Sequence, residues 1–246
     1  MGPGEIIVTC PYCGTPARLG GERPFLLKHA MLAARVDRAG AQGAVEGWMQ
    51  GGFMMPAGFA RAAKVVSLEC VYVPFYVFEV AAKTSYAGLL TRTGTNERRT
   101  GVVPRNYLWK VLGRRSTDFP VREYKVPLSA KVPFSTGEML PDSKFLNAEM
   151  DEDEAAGIAR GEVEKREREL LKDLVDVIED ARTEVVLDDA EFLHAPLWFS
   201  EYVYKGKHAV VVVDAATGEV VRGDIPPPTG GFGEFLRTAG RDLMGG

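Results

Sequence analysis

Only three cysteines occur among 246 residues. So few cannot staple a chain of this size, and two of them, Cys10 and Cys13, sit two residues apart. That usage excludes a disulfide scaffold and points to metal or redox chemistry in a reducing compartment. Histidine is as scarce, at His29, His194 and His208, so no His-rich metal cluster and no H-E-x-x-H pair is available. Long apolar runs are missing too. The longest, Cys70 to Ala82, is broken by Pro74 and Glu79, too short to cross a bilayer. The first ten residues, MGPGEIIVTC, lack the basic and apolar regions of a secretory signal. The expectation is a soluble, cytoplasmic protein that meets a membrane only peripherally.

What is present suits a folded chain. Hydrophobic residues make up 46% and charged residues 26%, enough apolar material for a core. The net charge of -4 is uneven. Between Glu149 and Glu184 there are 14 acidic and 6 basic residues, which leaves the remainder weakly basic. A whole-molecule nucleic-acid binder is therefore disfavoured, while a local basic patch stays open.

The pattern along the chain alternates between strand and helix signals. Val65 to Leu90 is rich in Val, Tyr and Phe and reads as strand, with Pro74 marking an edge or a bulge. Further strands are expected over Val102 to Leu112, Val121 to Val126, Glu184 to Leu187, Phe192 to Tyr204, His208 to Val213 and Glu219 to Arg222. Pro24 to Arg38 and Ala44 to Gln50 read as short helices separated by Gly40 and Gly43. The long helix is predicted over Glu149 to Ala181, with acids at its N-terminus and an apolar stripe through Ile158, Val163, Leu170, Leu171, Leu174, Val175 and Ile178. Phe232 to Leu243 reads as a short terminal helix.

One unit occurs twice. Val71-Tyr72-Val73-Pro74-Phe75-Tyr76-Val77-Phe78-Glu79 resembles Leu193-His194-Ala195-Pro196-Leu197-Trp198-Phe199-Ser200-Glu201. Each is followed by Tyr-x-Gly, at Tyr86 to Gly88 and Tyr204 to Gly206. The two read as related hairpins over about 65–92 and 187–213. The plain reading is a duplicated structural motif whose aromatics are core. The sharper one is a ligand pocket lined by Tyr76 and Trp198, which would suit a small-ligand protein or an enzyme. The fold expected is α+β: mostly antiparallel sheet from two related hairpin units, one long helix, and a small N-terminal zinc knuckle. Residues 1–22 form the knuckle, 23–228 the body and 229–246 a tail.

The sharpest local signal is Cys10-Pro11-Tyr12-Cys13-Gly14. Two thiolates at this spacing grip one side of a tetrahedral zinc, and the following glycine lets the backbone turn. A second C-x-x-C is lacking. Three readings follow: His29 and another ligand complete the zinc site, two chains share one zinc, or the knuckle is a relic without metal. A second signal is the basic and aromatic stretch from Arg92 to Arg122. There Arg98, Arg99, Arg114 and Arg115 flank Tyr107 and Trp109, a composition that can hold single-stranded nucleic acid or simply form a solvated sheet face. No nucleophile–base pair or paired catalytic carboxylates stand out.

The knuckle, Trp48 with Gly52-Phe53 and Pro56, the two Pro-aromatic strands, Tyr202 to Lys207 and Asp214 to Pro226 together resemble a little-characterised group of bacterial and archaeal zinc-ribbon proteins. Some of that group are labelled helicase-like or primosomal-like. Members carry more zinc-binding cysteines than this chain. The resemblance implies an accessory or assembly role beside membrane-stress and band-7-type scaffold proteins, and supplies no catalytic residue. The leading expectation is a non-enzymatic interaction or scaffold protein that binds a protein partner or itself. A nucleic-acid-binding accessory factor is the alternative.

Overall fold

The computed structural model describes residues 4–10, 13–20, 27–51, 55, 58–92, 94, 96–115 and 124–225. The terminal helix expected over Phe232 to Leu243, the start of the Pro24 helix, the first half of the Val121 strand and the knuckle's Pro11 and Tyr12 lie outside them. In chain order the elements are β1 (Ile7–Thr9), β2 (Pro16–Arg18), β3 (His29–Leu32), α1 (Arg38–Gln50), α2 (Phe59–Ala62), β4 (Lys64–Leu90), β5 (Glu97–Leu112), β6 (Lys131–Pro133), β7 (Lys144–Phe145), α3 (Glu152–Leu170), β8 (Val177–Leu187), β9 (Glu191–Tyr204), β10 (Lys207–Asp214) and β11 (Val220–Gly223). The protein is α+β, with a mostly antiparallel sheet and one long helix, as the pattern predicts. Two compact units result. Unit 1 comprises Met1–Phe75, Leu112–Asp151 and Phe192–Gly246, and unit 2 comprises Tyr76–Val111 and Glu152–Glu191.

In unit 1, β3 lies between β6, antiparallel, and β9, parallel. β9 turns back into β10 through Lys205 and Gly206, both at positive φ. Two successive left-handed residues give the tight turn whose twist matches the strands on either side. β10 then pairs with β11. Ala209 to Val213 are all buried, the continuous apolar run expected of a strand covered on both faces. α1 lays Ala41, Val45 and Met49 on a core with Trp198, Tyr202, Val211 and Val213. It starts where the Asp37 side chain accepts from the Gly40 amide at 2.8 Å, so Gly40 and Gly43 sit inside the helix and do not interrupt it. The expected Pro24–Arg38 helix is corrected: His29 to Leu32 is strand. Ala30, Met31 and Leu32 are all buried there, and pairing on both sides overrides a local apolar spacing that suits either state.

Gly223 passes so close to Trp48 that a β-carbon there would lie 2.1 Å from the indole Cζ2. Gly223→Ala is expected to lose about 1–3 kcal/mol through overpacking. A thermal-unfolding midpoint no lower than wild type would contradict this packing.

In unit 2 the second half of β4 is the central strand, flanked by β5 and by β8. β8 pairs antiparallel from Val80↔Leu187 to Leu89↔Val177, with a bulge at Ala87/Gly88. Gly88 is required at that bulge, because a β-carbon would lie 2.4 Å from the Val177 carbonyl oxygen. α3 is shorter than expected. It ends at Leu170, a single 3-10 turn carries the chain to Asp173, and Val177 to Ala181 is strand. The expected apolar stripe is not one helical face: Ile158 is exposed within α3, while Leu171 and Val175 are buried beyond its end. The buried face of α3 is Ala155, Ala159, Val163 and Glu167, one residue per helical turn.

The two Pro-containing strands use their prolines alike. The Pro74 carbonyl, within β4, accepts from the Gly113 amide at 2.8 Å, and the Pro196 carbonyl, within β9, accepts from Ala215 at 3.0 Å. In both cases the donor is the first residue after the returning strand, β5 or β10.

Candidate functional site

The knuckle is the tip of the β1–β2 hairpin, which pairs Ile7↔Arg18, Val8↔Ala17 and Thr9↔Pro16. Short antiparallel strands bring Cys10 and Cys13 to the turn. The Cys10 amide donates to the Thr15 carbonyl and the Gly14 amide to the Cys10 carbonyl, both at 2.9 Å. Gly14 has φ +70, and a β-carbon on it would lie 2.6 Å from the Phe134 ring, so glycine is needed for conformation and for space. Cys13 is exposed and Cys10 partly so. The Cys13 sulfur lies 3.3 Å from Thr15 Oγ1. Hydrogen bonding from the Thr15 side chain, then its backbone, holds this thiol below its ordinary value, which favours the thiolate that binds metals.

A hairpin this short buries little of its own, and neighbours within unit 1 fix it. Ile7 and Ala148 exchange backbone hydrogen bonds, and the Thr9 amide donates to Asn147 Oδ1 at 3.0 Å. Arg114, only 4% exposed, reaches Glu149 at 2.9 Å and Glu5 at 3.7 Å and donates to the Asn147 carbonyl at 3.1 Å. The Arg115 amide donates to Glu149 at 2.8 Å, and Arg18 pairs with Asp151. Charges buried this deeply must be matched, so the arrangement pins the hairpin to Arg114 and to residues 147–151.

His29, expected as a zinc ligand, is within reach of the knuckle but turned to other partners. Its Nδ1 meets the Gly14 carbonyl at 2.9 Å, and its Nε2 meets His194 Nδ1 at 2.8 Å. His194 Nε2 in turn meets the Leu146 carbonyl at 3.0 Å. Burial lowers the His29 pKa to about 4. Burial, then the charge of His29, holds His194 well below its usual value. Among the described residues no three His, Cys, Asp or Glu side chains converge as a metal cluster.

The four arginines expected to contact nucleic acid fall in different units. In unit 2, Arg98 pairs with Glu179 at 3.2 Å and Arg99 with Glu97 at 3.2 Å. In unit 1, Arg114 and Arg115 belong to the hairpin clamp. Tyr76 is fully buried, and Trp198 lies in the unit 1 core, its Nε1 donating to the Val36 carbonyl at 2.9 Å. Tyr76 belongs to unit 2 and Trp198 to unit 1.

Two buried polar groups carry no role in the sequence reading, although His194 is among its three histidines and stands out within the repeat. His194 stands where the first copy of the repeat has Tyr72, and a histidine inside an apolar strand is the signal that marks it. Glu167 is the second. It accepts from Thr84 Oγ1 at 2.7 Å, from Arg105 Nη1 at 2.7 Å and from the Tyr107 hydroxyl. Its signal is the four-residue ladder from Ala155 through Ala159 and Val163, which puts position 167 on the same face.

Among the described residues no helix is long and apolar enough to cross a membrane. No protein-family model, no curated protein and no solved structure matches this chain.

Proposed function

We propose that this chain is a non-enzymatic interaction protein whose knuckle is its docking element, joined to a second copy of itself through the cysteine pair. The observation that carries the reading is an exposed Cys13 thiol, tuned toward the thiolate, on a hairpin held rigidly by buried ion pairs. Rigid presentation lowers the entropy lost on association. Cys10 and Cys13 supply two sulfur donors, half of what tetrahedral zinc requires. A two-fold axis through the metal would bring the same pair from a second copy, since a two-fold interface uses one patch twice. Cys10 and Cys13 of each chain would hold the zinc, which supplies structural cross-linking and no catalysis.

The test is zinc content and native mass for wild type and Cys13→Ser. One zinc per two chains, with a dimer that dissociates in the variant, is the expected result. A zinc-free monomer, or one zinc per chain in a monomer, overturns the shared site.

A further inference from the structure

Within one chain the cysteine pair has few partners besides itself. Both ring nitrogens of His29 are engaged, by the Gly14 carbonyl and by His194. Among the described residues no three His, Cys, Asp or Glu side chains gather around a common point. The third cysteine, Cys70, is buried in the unit 1 core, where burial pushes its thiol up to about 12. A thiol held in that state does not exchange with disulfides near neutral pH. Cys10 and Cys13 are placed differently. The Gly14 amide bonds the Cys10 carbonyl and the Cys10 amide bonds the Thr15 carbonyl, both at 2.9 Å, so the backbone folds back on itself between the two cysteines. The Cys10 side chain hydrogen-bonds that of Cys13, which makes the sulfurs neighbours. Rotation about the side-chain bonds is the motion that separates neighbouring thiols from a disulfide of about 2.05 Å. Cys13 is exposed and Cys10 partly so, and a small reagent reaches the first without any opening of the fold.

We propose that Cys10 and Cys13 are a thiol–disulfide switch, which reacts with small-molecule disulfides and closes into a bond within one chain. The exposed Cys13 sulfur attacks one sulfur of the reagent, breaks its S–S bond and releases one thiol, leaving a mixed disulfide on the protein. Cys10 then attacks the Cys13 sulfur and releases the second thiol. The protein gives up two electrons and two protons, and the reagent carries both away as its two thiols. The second step is intramolecular, with the resolving thiol already beside its target, and proximity of that kind is worth a large effective concentration. The thiolate is the form of cysteine that ligates metals, so the closed pair is no zinc ligand. For two chains joined by one zinc, two small disulfides and four protons are consumed. Two protein disulfides, one zinc ion and four thiols are formed. A reduced knuckle then docks and an oxidised one lets go. That consequence rests on the shared-zinc reading, whereas the disulfide itself does not.

The experiment holds the full chain, free of metal and of oxygen, in mixtures of reduced and oxidised glutathione. Thiol alkylation and peptide mass spectrometry then read the state of each cysteine. The expected result is a Cys10–Cys13 bond within one chain, reversed by reductant, with Cys70 alkylated only after unfolding. In Cys10→Ser, one glutathione per chain should stay on Cys13, because the resolving thiol is gone. Zinc-loaded wild type, followed by a chromogenic zinc chelator and native mass, should release its zinc and pass from dimer to monomer on oxidation, and regain both on reduction. Cysteines of metal-free wild type that stay reduced in oxidised glutathione overturn the proposal. So do glutathione that stays on wild-type Cys13, disulfides formed only between chains, or oxidised protein that keeps its zinc. A metal-free chain that closes its disulfide, beside protein that remains a zinc-free monomer when zinc is supplied, sustains the disulfide and overturns the shared zinc.

Discussion

Glu167→Ala is expected to destabilise unit 2 by about 3–5 kcal/mol, the cost of leaving a buried charge without its partner. The carboxylate is fully buried on the inner face of α3. Its removal strands three donors at once: Thr84 Oγ1, the Arg105 guanidinium and the Tyr107 hydroxyl. Glu167→Gln preserves the shape but not the charge and should cost less. The same residue governs acid behaviour. Burial pushes its pKa up, but hydrogen bonds from Tyr107, Thr84 and Arg105, with the charge of Arg105, outweigh burial and hold it below the ordinary carboxylate value. A depressed folded-state pKa means that the stability is fully present above the unfolded value of about 4.3. It is lost as pH falls through the lower folded value. Amide hydrogen exchange of Val177–Leu187 against pH reads this out. In Glu167→Gln the acid-induced rise should shrink relative to wild type, and an unchanged profile would remove Glu167 from the account.

Arg114→Ala is expected to have the next largest effect, also about 3–5 kcal/mol for the loss of one member of a buried ion cluster. Glu5 and Glu149 would keep their charges with exposures of 5% and 15% and lose the cation that offsets them. Because Glu5 precedes β1, the loosening should begin at the hairpin. Limited proteolysis and hydrogen exchange should show residues 5–19 opening before the rest of unit 1. If nucleic acid is bound through exposed arginines, Arg98→Ala/Arg99→Ala should weaken retention without altering stability. Arg114→Ala should alter stability first. Equal stability of Arg114→Ala and wild type would refute the clamp.

The elements that were legible had a period and a punctuation mark. β4 was visible because twenty-odd residues of Val, Tyr and Phe leave few alternatives, and the β9–β10 hairpin because Lys205-Gly206 separates two apolar runs. The end of α3 was not legible. Leu170 to Ile178 continues a plausible helical spacing, yet the chain leaves the helix because Val177 onward pairs with β4. His29 to Leu32 failed in the same way, since four residues of apolar character do not distinguish helix from strand until neighbours on both sides supply hydrogen bonds.

The candidate site divides along the same line. Cys10 and Cys13 are local in sequence, so their spacing alone determined that two sulfurs share one turn. Composition and pattern likewise determined the α+β class and the excess of acids around α3. Only tertiary structure decided that His29 faces His194, 165 residues away, that Arg114 is a buried clamp, and that Glu167 is a buried anchor for three donors. The physical reason is that a side chain's role depends on which partners replace its water. Local sequence sets backbone preference over a few residues, whereas desolvation and ion pairing are set by neighbours that only the completed fold brings together.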